Sequence, residues 1–228
     1  TLLSSKKISL TNLPRVKDVE TMIKLLESMG SKVEISKNKN SLVIKNDKKI
    51  KTEASYNLMS TMRAGIIVLG PLLARFGKAR VSSPGGCNIG FRPIDIHLEA
   101  LKKMGVKYKI IDGYINANAK NGLVGAKIKF PKISVGATEN LMIAACLAKG
   151  QTVLSNCAIE PEIKDLSNFL CSIGAKIVWT GRRQVKIVGV KTFKQSSYKI
   201  MFDRIEAGTM LIACLLYTSD AADDWRSG

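Results

Sequence analysis

The sequence predicts an α/β (α+β) fold assembled from repeated units, on three observations. Three stretches, "DVETMIKLLESMGSKVEI", "DIHLEALKKMGVKYKI" and "DLSNFLCSIGAKIVW", each read as an amphipathic helix that stops at a glycine and runs into an alternating strand. Two others, "MRAGIIVLGPLLARFGKARV" and "ATENLMIAACLAKGQTVL", read as a second kind of helix, again ending at glycine before a strand. A hydrophobic content of 46% over 228 residues supplies the core that such a repeat needs.

Taken in order, the first kind of helix shows one apolar face in all three copies. The face is Met22, Leu26 and Met29 ahead of Gly30, then His97, Leu101 and Met104 ahead of Gly105, then Leu166, Leu170 and Ile173 ahead of Gly174. Glycine is the expected stop, because it takes the left-handed conformation without a Cβ clash. The second kind stops at Gly77 and Gly150. "TLLSSKKISL" matches the tail of this second unit and "EAGTMLIAC" its head, so the chain is expected to be a piece of a longer protein. A glycine turn and a β-branched strand would follow Cys214 by analogy. Instead "LLYTSDAADDWRSG" turns polar and acidic, and from about Leu215 it is set apart as a non-native tail.

The formal net charge is +18. Nucleic acid, an anionic membrane face or small anionic substrates would each fit that surplus. The lysines are scattered, however, aromatics are only 6%, and no recognition-helix, RNP or zinc-finger pattern occurs, so neither nucleic acid nor membrane is an expected partner. The cysteines are Cys87, Cys146, Cys157, Cys171 and Cys214, an odd number without a CxxC pair. That spacing argues against a disulfide framework or a zinc site and for a reducing, cytoplasmic compartment. Cys146, Cys157, Cys171 and Cys214 fall in apolar or repeat positions and are expected in the core. The longest apolar run, Ile66 to Ala74, is broken by Gly70-Pro71 and falls short of the ~20 residues that a membrane span needs.

One copy of the repeat is longer than the others. Eighteen positions separate Asn12 from Gly30 and Asn156 from Gly174, but twenty-two separate Ser83 from Gly105. The extra residues fall in "SSPGGCNIGFRPIDIH", which places Cys87 on a loop added to the repeated scaffold, where function is expected. A thiol with a pKa near ~8.5 can donate a proton or, as thiolate, attack an electrophile. Arg92 offers a forked donor matched to carboxylate or phosphate, and Arg63 could add a second cationic arm. Lys132 and Ser134 precede another helix start, where free N–H groups attract anions. Read singly, each of these has a plain structural alternative: Gly85-Gly86-Cys87 as a turn, His97 as a packed histidine, Asp95 as a first-turn acid complementing the helix dipole.

Together, "TMRAGIIVLGPLLARFGKARVSSPGGCNIGFRPIDIH", "KISVGAT", "EPEIKDLSNFL" and "DRIEAGT" resemble the bacterial UDP-N-acetylglucosamine 1-carboxyvinyltransferases, enolpyruvyl transferases that open peptidoglycan synthesis. The likeness runs from about Thr1 to Cys214. It implies repeated βαβαββ units forming an inside-out α/β barrel domain. Residues 1–201 would form that domain, 202–216 would cross to a second one, and 217–228 would be the tail. It implies transfer of enolpyruvate from phosphoenolpyruvate to the 3′-hydroxyl of UDP-N-acetylglucosamine, with no cofactor and no metal, by an enzyme monomeric when whole. Cys87 is implied as the proton donor at C3 and the target of fosfomycin, on a loop that closes when nucleotide sugar binds. Arg63, Arg92, Pro93, Ile94, Asp95, Ile96, Lys132, Ile133, Ser134 and Val135 are implied as substrate contacts, with Arg92 also near phosphoenolpyruvate.

The chain departs from that pattern in three respects. The family's N-terminal Lys-Asn pair would lie ahead of Thr1. The half that carries the base for the sugar hydroxyl and a further arginine is not in the sequence. Phe91 stands where the family usually has alanine. Three other readings stay open from sequence: an RNA 3′-phosphate cyclase relative, favoured only by charge; the shikimate-pathway sister enzyme, which lacks the Pro-Gly-Gly-Cys loop; and a non-catalytic paralogue.

Overall fold

The computed structural model describes residues 1–47, 49–82 and 94–224, without the side chains of Arg63 and of residues after Tyr217. The chain opens with β1 (Ile8–Thr11), α1 (Lys17–Ser28), β2 (Ser31–Ile35) and β3 (Ser41–Asn46). A complete unit follows: β4 (Glu53–Ala54), α2 (Tyr56–Met59), a 3₁₀ helix (Arg63–Val68), α3 (Leu69–Phe76), β5 (Lys78–Ser82), α4 (Asp95–Lys103), β6 (Lys107–Ile111) and β7 (Tyr114–Asn118). A second unit repeats it with β8 (Lys127–Lys129), α5 (Val135–Ala145), β9 (Gln151–Ser155), α6 (Pro161–Ser172), β10 (Lys176–Gly181) and β11 (Gln184–Val188). β12 (Ser196–Lys199) and α7 (Arg204–Asp224) close the chain.

These strands form three four-stranded sheets of one design, in orders β4-β5-β7-β6, β8-β9-β11-β10 and β12-β1-β3-β2. In each, a short edge strand runs parallel to its neighbour and the other pairings are antiparallel. The third sheet draws β12 from one end of the chain and β1 from the other, so the expected βαβαββ unit is present twice in sequence and its strand order a third time in space. Asparagine marks the repeat at equivalent corners. Asn12 and Asn156 both have positive φ, and their amides donate to the carbonyls just past the parallel neighbour strands, Ile200 at 2.8 Å and Phe130 at 3.0 Å. Asn tolerates that conformation because its short polar side chain bonds locally. The hairpin β6–β7 turns on Asp112-Gly113, both left-handed, which matches the twist of the flanking strands.

The outer helices α1, α4 and α6 bury the face read from sequence: Leu26, Met29, His97, Leu101, Met104, Leu170 and Ile173 are buried, Met22 and Leu166 half-buried. Helix α5 differs. It is buried all round through Ala137, Thr138, Asn140, Leu141, Met142, Ala144 and Ala145, because it lies between other helices rather than on the surface. It packs closely on α3, where a Cβ on Gly70 would fall 2.6 Å from the Asn140 carbonyl. Helix α5 stops at Ala145, and five residues later Gly150 takes the left-handed bend, so that glycine ends the turn rather than the helix. A cavity of about 150 Å³, bounded by α1, α3, α5, α6 and Leu2-Leu3, lies among these helices.

Two of the expected core cysteines are not in the core. Cys146 and Cys157 are buried, but Cys171 and Cys214 are exposed. Cys171 follows the buried stripe of α6 by one position and so faces outward, and Cys214 lies on α7. That helix is capped by Asp203, whose carboxylate accepts from the N–H groups of Ile205 (2.8 Å) and Glu206 (3.1 Å). It runs on as helix to Asp224.

Candidate active site

Two helix starts stand side by side at the carboxyl ends of parallel strand pairs. Helix α4 begins at Asp95, and its first bonds are made by His97 and Leu98, whose N–H groups donate to the Ile94 carbonyl at 3.0 and 3.1 Å. Helix α5 begins at Val135, where the Ser134 hydroxyl caps it by accepting from the Ala137 N–H at 3.3 Å. Among the described residues no hydrogen bond holds the N–H groups of Asp95, Ile96, Val135 or Gly136, which leaves two pairs of free donors of the kind that bind anions.

The two starts touch. Asp95 and Ile96 share a cavity of about 110 Å³ with Phe130 and Pro131, and Glu99, Lys103 and Lys129 also line it. One turn further in, a Cβ on Gly136 would lie 3.5 Å from His97 Cε1, so glycine lets α5 approach the ring. The structure therefore brings together Ile94, Asp95 and Ile96 with the segment leading into Lys132, Ile133, Ser134 and Val135. Ile96 is buried and Ile94, Ser134 and Val135 are half-buried, while Asp95, Lys132 and Ile133 are exposed. Arg63 opens the 3₁₀ helix, which packs against α5. Cys87, Arg92 and Pro93 lie outside the described residues.

The electrostatics follow from burial. His97 is 6% exposed, and desolvation holds its pKa down at about 4 against a smaller opposing pull from Asp95. It is neutral at pH 7. Its Nδ1 lies 3.1 Å from the amide nitrogen of Asn140, which is fully buried. The packed histidine expected from sequence is thus also hydrogen-bonded. Glu139, the neighbour of Asn140, is pushed up to about 7 by burial and then by the nearby Glu162 carboxylate. Glu162 is itself held below the usual range by Arg204, which donates to both its oxygens at 3.0 and 2.9 Å. Sequence reading singled out neither Glu139 nor Asn140. The only available signal was polarity in an otherwise apolar helix.

A family model described as EPSP synthase (3-phosphoshikimate 1-carboxyvinyltransferase) matches residues 1–221. The chain belongs to that family. Within the EPSP synthase family it is similar to the UDP-N-acetylglucosamine 1-carboxyvinyltransferase of Pelagibacter ubique (strain HTCC1062), with 69% identity over 216 residues, 95% of this chain and 51% of that protein. The proteins of the same name from Trichlorobacter lovleyi and Coxiella burnetii are 48% and 46% identical, over 93% and 95% of this chain. The chain spans about half the length of the curated relatives it matches. Among solved structures it resembles the enolpyruvyl transferase NikO from Streptomyces tendae, with a TM-score of 0.79, 18% identity, and coverage of 90% of this chain and 48% of that one. The EPSP synthase of Acinetobacter baumannii follows with a TM-score of 0.69, 14% identity, and coverage of 86% and 44%. These likenesses bear out the inside-out α/β barrel fold expected from the resemblance.

Proposed function

We propose that the chain is part of an enzyme that transfers enolpyruvate from phosphoenolpyruvate to the 3′-hydroxyl of UDP-N-acetylglucosamine, a step of peptidoglycan synthesis. The observation that carries this reading is 69% identity, through 95% of the chain, to a relative bearing that activity as its name. The paired helix starts support it, because a nucleotide diphosphate is an anion suited to free N–H groups.

In this reading Cys87 gives a proton to C3 of phosphoenolpyruvate while the sugar oxygen bonds to C2 and passes its own proton to the base expected from the other half of the protein. The tetrahedral adduct then loses the C3 proton and phosphate, so that the enol ether forms and the acid is restored. Arg63, Arg92, Pro93, Ile94, Asp95, Ile96, Lys132, Ile133, Ser134 and Val135 hold the nucleotide sugar, and Arg92 also steadies the phosphoenolpyruvate anion. Residues 1–201 form the domain that carries the cysteine loop, 202–216 cross to the other half, and 217–228 are a tail outside the fold. The whole protein acts as a monomer in the cytoplasm, a reducing setting that suits the thiol chemistry proposed for Cys87.

Phosphate release from phosphoenolpyruvate tests the reading, using a protein restored at both ends and offering either UDP-N-acetylglucosamine or shikimate 3-phosphate as acceptor. Turnover with the nucleotide sugar alone is expected. Turnover with the shikimate ester, or with neither, overturns it. The 228-residue chain by itself should be slower by at least ~10²-fold, the scale of losing a positioned base.

A further inference from the structure

The 3₁₀ helix 63–68 passes directly into α3, with the Leu69 N–H donating to the Ile66 carbonyl at the join. In an unbroken α-helix the Gly70 N–H would donate to the Ile66 carbonyl four residues back. The side chain of Asn140, from α5, occupies that place instead. Its Oδ1 accepts from Gly70 N–H at 2.8 Å, and its Nδ2 donates to the Ile66 carbonyl at 3.1 Å. Pro71 has no N–H to give to Ile67, so the opening is built into the chain as well as wedged from outside. Gly70 must be glycine here, since a Cβ would lie 2.2 Å from Asn140 Oδ1.

The two backbone partners fix which end of the Asn140 amide is nitrogen, and its second hydrogen then faces His97 Nδ1 at 3.1 Å. An amide nitrogen only donates, so Nδ1 must accept and the ring proton must sit on Nε2. One amide thereby ties three elements: α4 through His97, α5 through Asn140 itself, and the 3₁₀ helix through Ile66. Each tie lies close in sequence to a proposed substrate contact: His97 to Asp95 and Ile96, Asn140 to Ser134 and Val135, Ile66 to Arg63. A leucine would fill the same space in an apolar helix without the desolvation cost of an amide.

We infer that Asn140 and His97 are positioning residues, which set the 3₁₀ helix and the starts of α4 and α5 in one register for the nucleotide-sugar end of the site. The choice of ligand rests on the function proposed above; the hydrogen-bonded knot does not.

His97 is the sole histidine of the 228-residue chain, so its ring gives one unambiguous ¹⁵N NMR signature. At pH 7 the proton should be found on Nε2, and in Asn140→Asp, where a donor becomes an acceptor, it should move to Nδ1. A ring protonated at Nδ1 in the unaltered chain, or unchanged in Asn140→Asp, overturns the knot. In the protein restored at both ends, Asn140→Asp and His97→Phe should raise KM for UDP-N-acetylglucosamine by about tenfold or more and leave kcat within about threefold, because misplaced contacts weaken orientation. His97→Gln, whose amide oxygen can still accept, should recover most of that loss. An unchanged KM in both Asn140→Asp and His97→Phe, with the NMR shift present, overturns the positioning role. If the unaltered protein does not bind UDP-N-acetylglucosamine at all, the functional reading fails and takes the assigned ligand with it, while the ring tautomer still judges the knot.

Discussion

Burial pushes the Cys146 thiol up to about 12 and Cys157 to about 11, so neither supplies thiolate at neutral pH. Cys171 and Cys214 are exposed. A neutral alkylating agent such as iodoacetamide should therefore label Cys171 and Cys214 as well as the loop thiol Cys87. Fosfomycin, an anionic epoxide that needs cationic neighbours, should label Cys87 alone in the protein restored at both ends. Mass spectrometry reads both patterns, and fosfomycin adducts on Cys171 or Cys214 would count against the site. A second residue-level prediction concerns acid. The folded pKa of His97 is depressed to about 4, so the unfolded chain binds its proton first, and stability falls between about pH 6.5 and 4 by up to ~3 kcal/mol. The folded pKa of Glu139 is raised to about 7, so the folded chain binds that proton first. Its contribution has the opposite sign: stability rises as pH falls from about 7 to 4.5, by roughly 1–3 kcal/mol for a half-buried carboxylate. The two slopes offset each other across much of the range. Urea midpoints of Glu139→Gln should therefore fall on acidification more steeply than those of the unaltered chain, and those of His97→Gln should rise. Parallel pH profiles for all three would refute the assignment.

At the scale of elements, glycines distinguish packing from backbone conformation. Gly70 sits where α3 meets α5, and an added Cβ collides with backbone and side chain of Asn140. Gly105 has φ 92° with nothing within 4 Å of an added Cβ. Gly105→Ala should cost about 1–2 kcal/mol of backbone strain. Gly70→Ala should cost more, about 2–4 kcal/mol, because two helices must separate. Denaturant midpoints of the two variants test the ranking, and equal losses would mean that the helices repack freely around the added methyl. The three outer helices and their glycine stops were legible from periodicity, since each has one face to bury. Helix α5 was legible as a helix from the repeat, but its burial on all sides and the break before α3 were not, because a helix buried all round has no stripe to read and the break depends on a side chain seventy residues away.

For the molecule as a whole, α7 is the outlying part. Ile205, Met210, Leu211, Ile212, Leu215, Leu216 and Tyr217 are all more than 60% exposed. An apolar surface of that kind is an association liability in a soluble chain. The 228-residue chain should therefore self-associate with rising concentration in sedimentation experiments, and Leu211→Glu with Leu215→Glu should return it to monomer. Association unaffected by that pair would shift the cause to another face, such as the helices around the 150 Å³ cavity.

Sequence alone determined the repeat, the outer helix faces, the four extra positions in the copy that holds Cys87 and the family resemblance, because periodicity and motif spacing are local and survive without coordinates. The juxtaposition of the α4 and α5 starts, the exposure of Cys171 and Cys214, and the Asn140–His97 knot were decided only by tertiary structure. Each depends on which distant side chain fills the space beside a residue, and that is set by how three sheets and their helices pack rather than by the order of residues along any one of them.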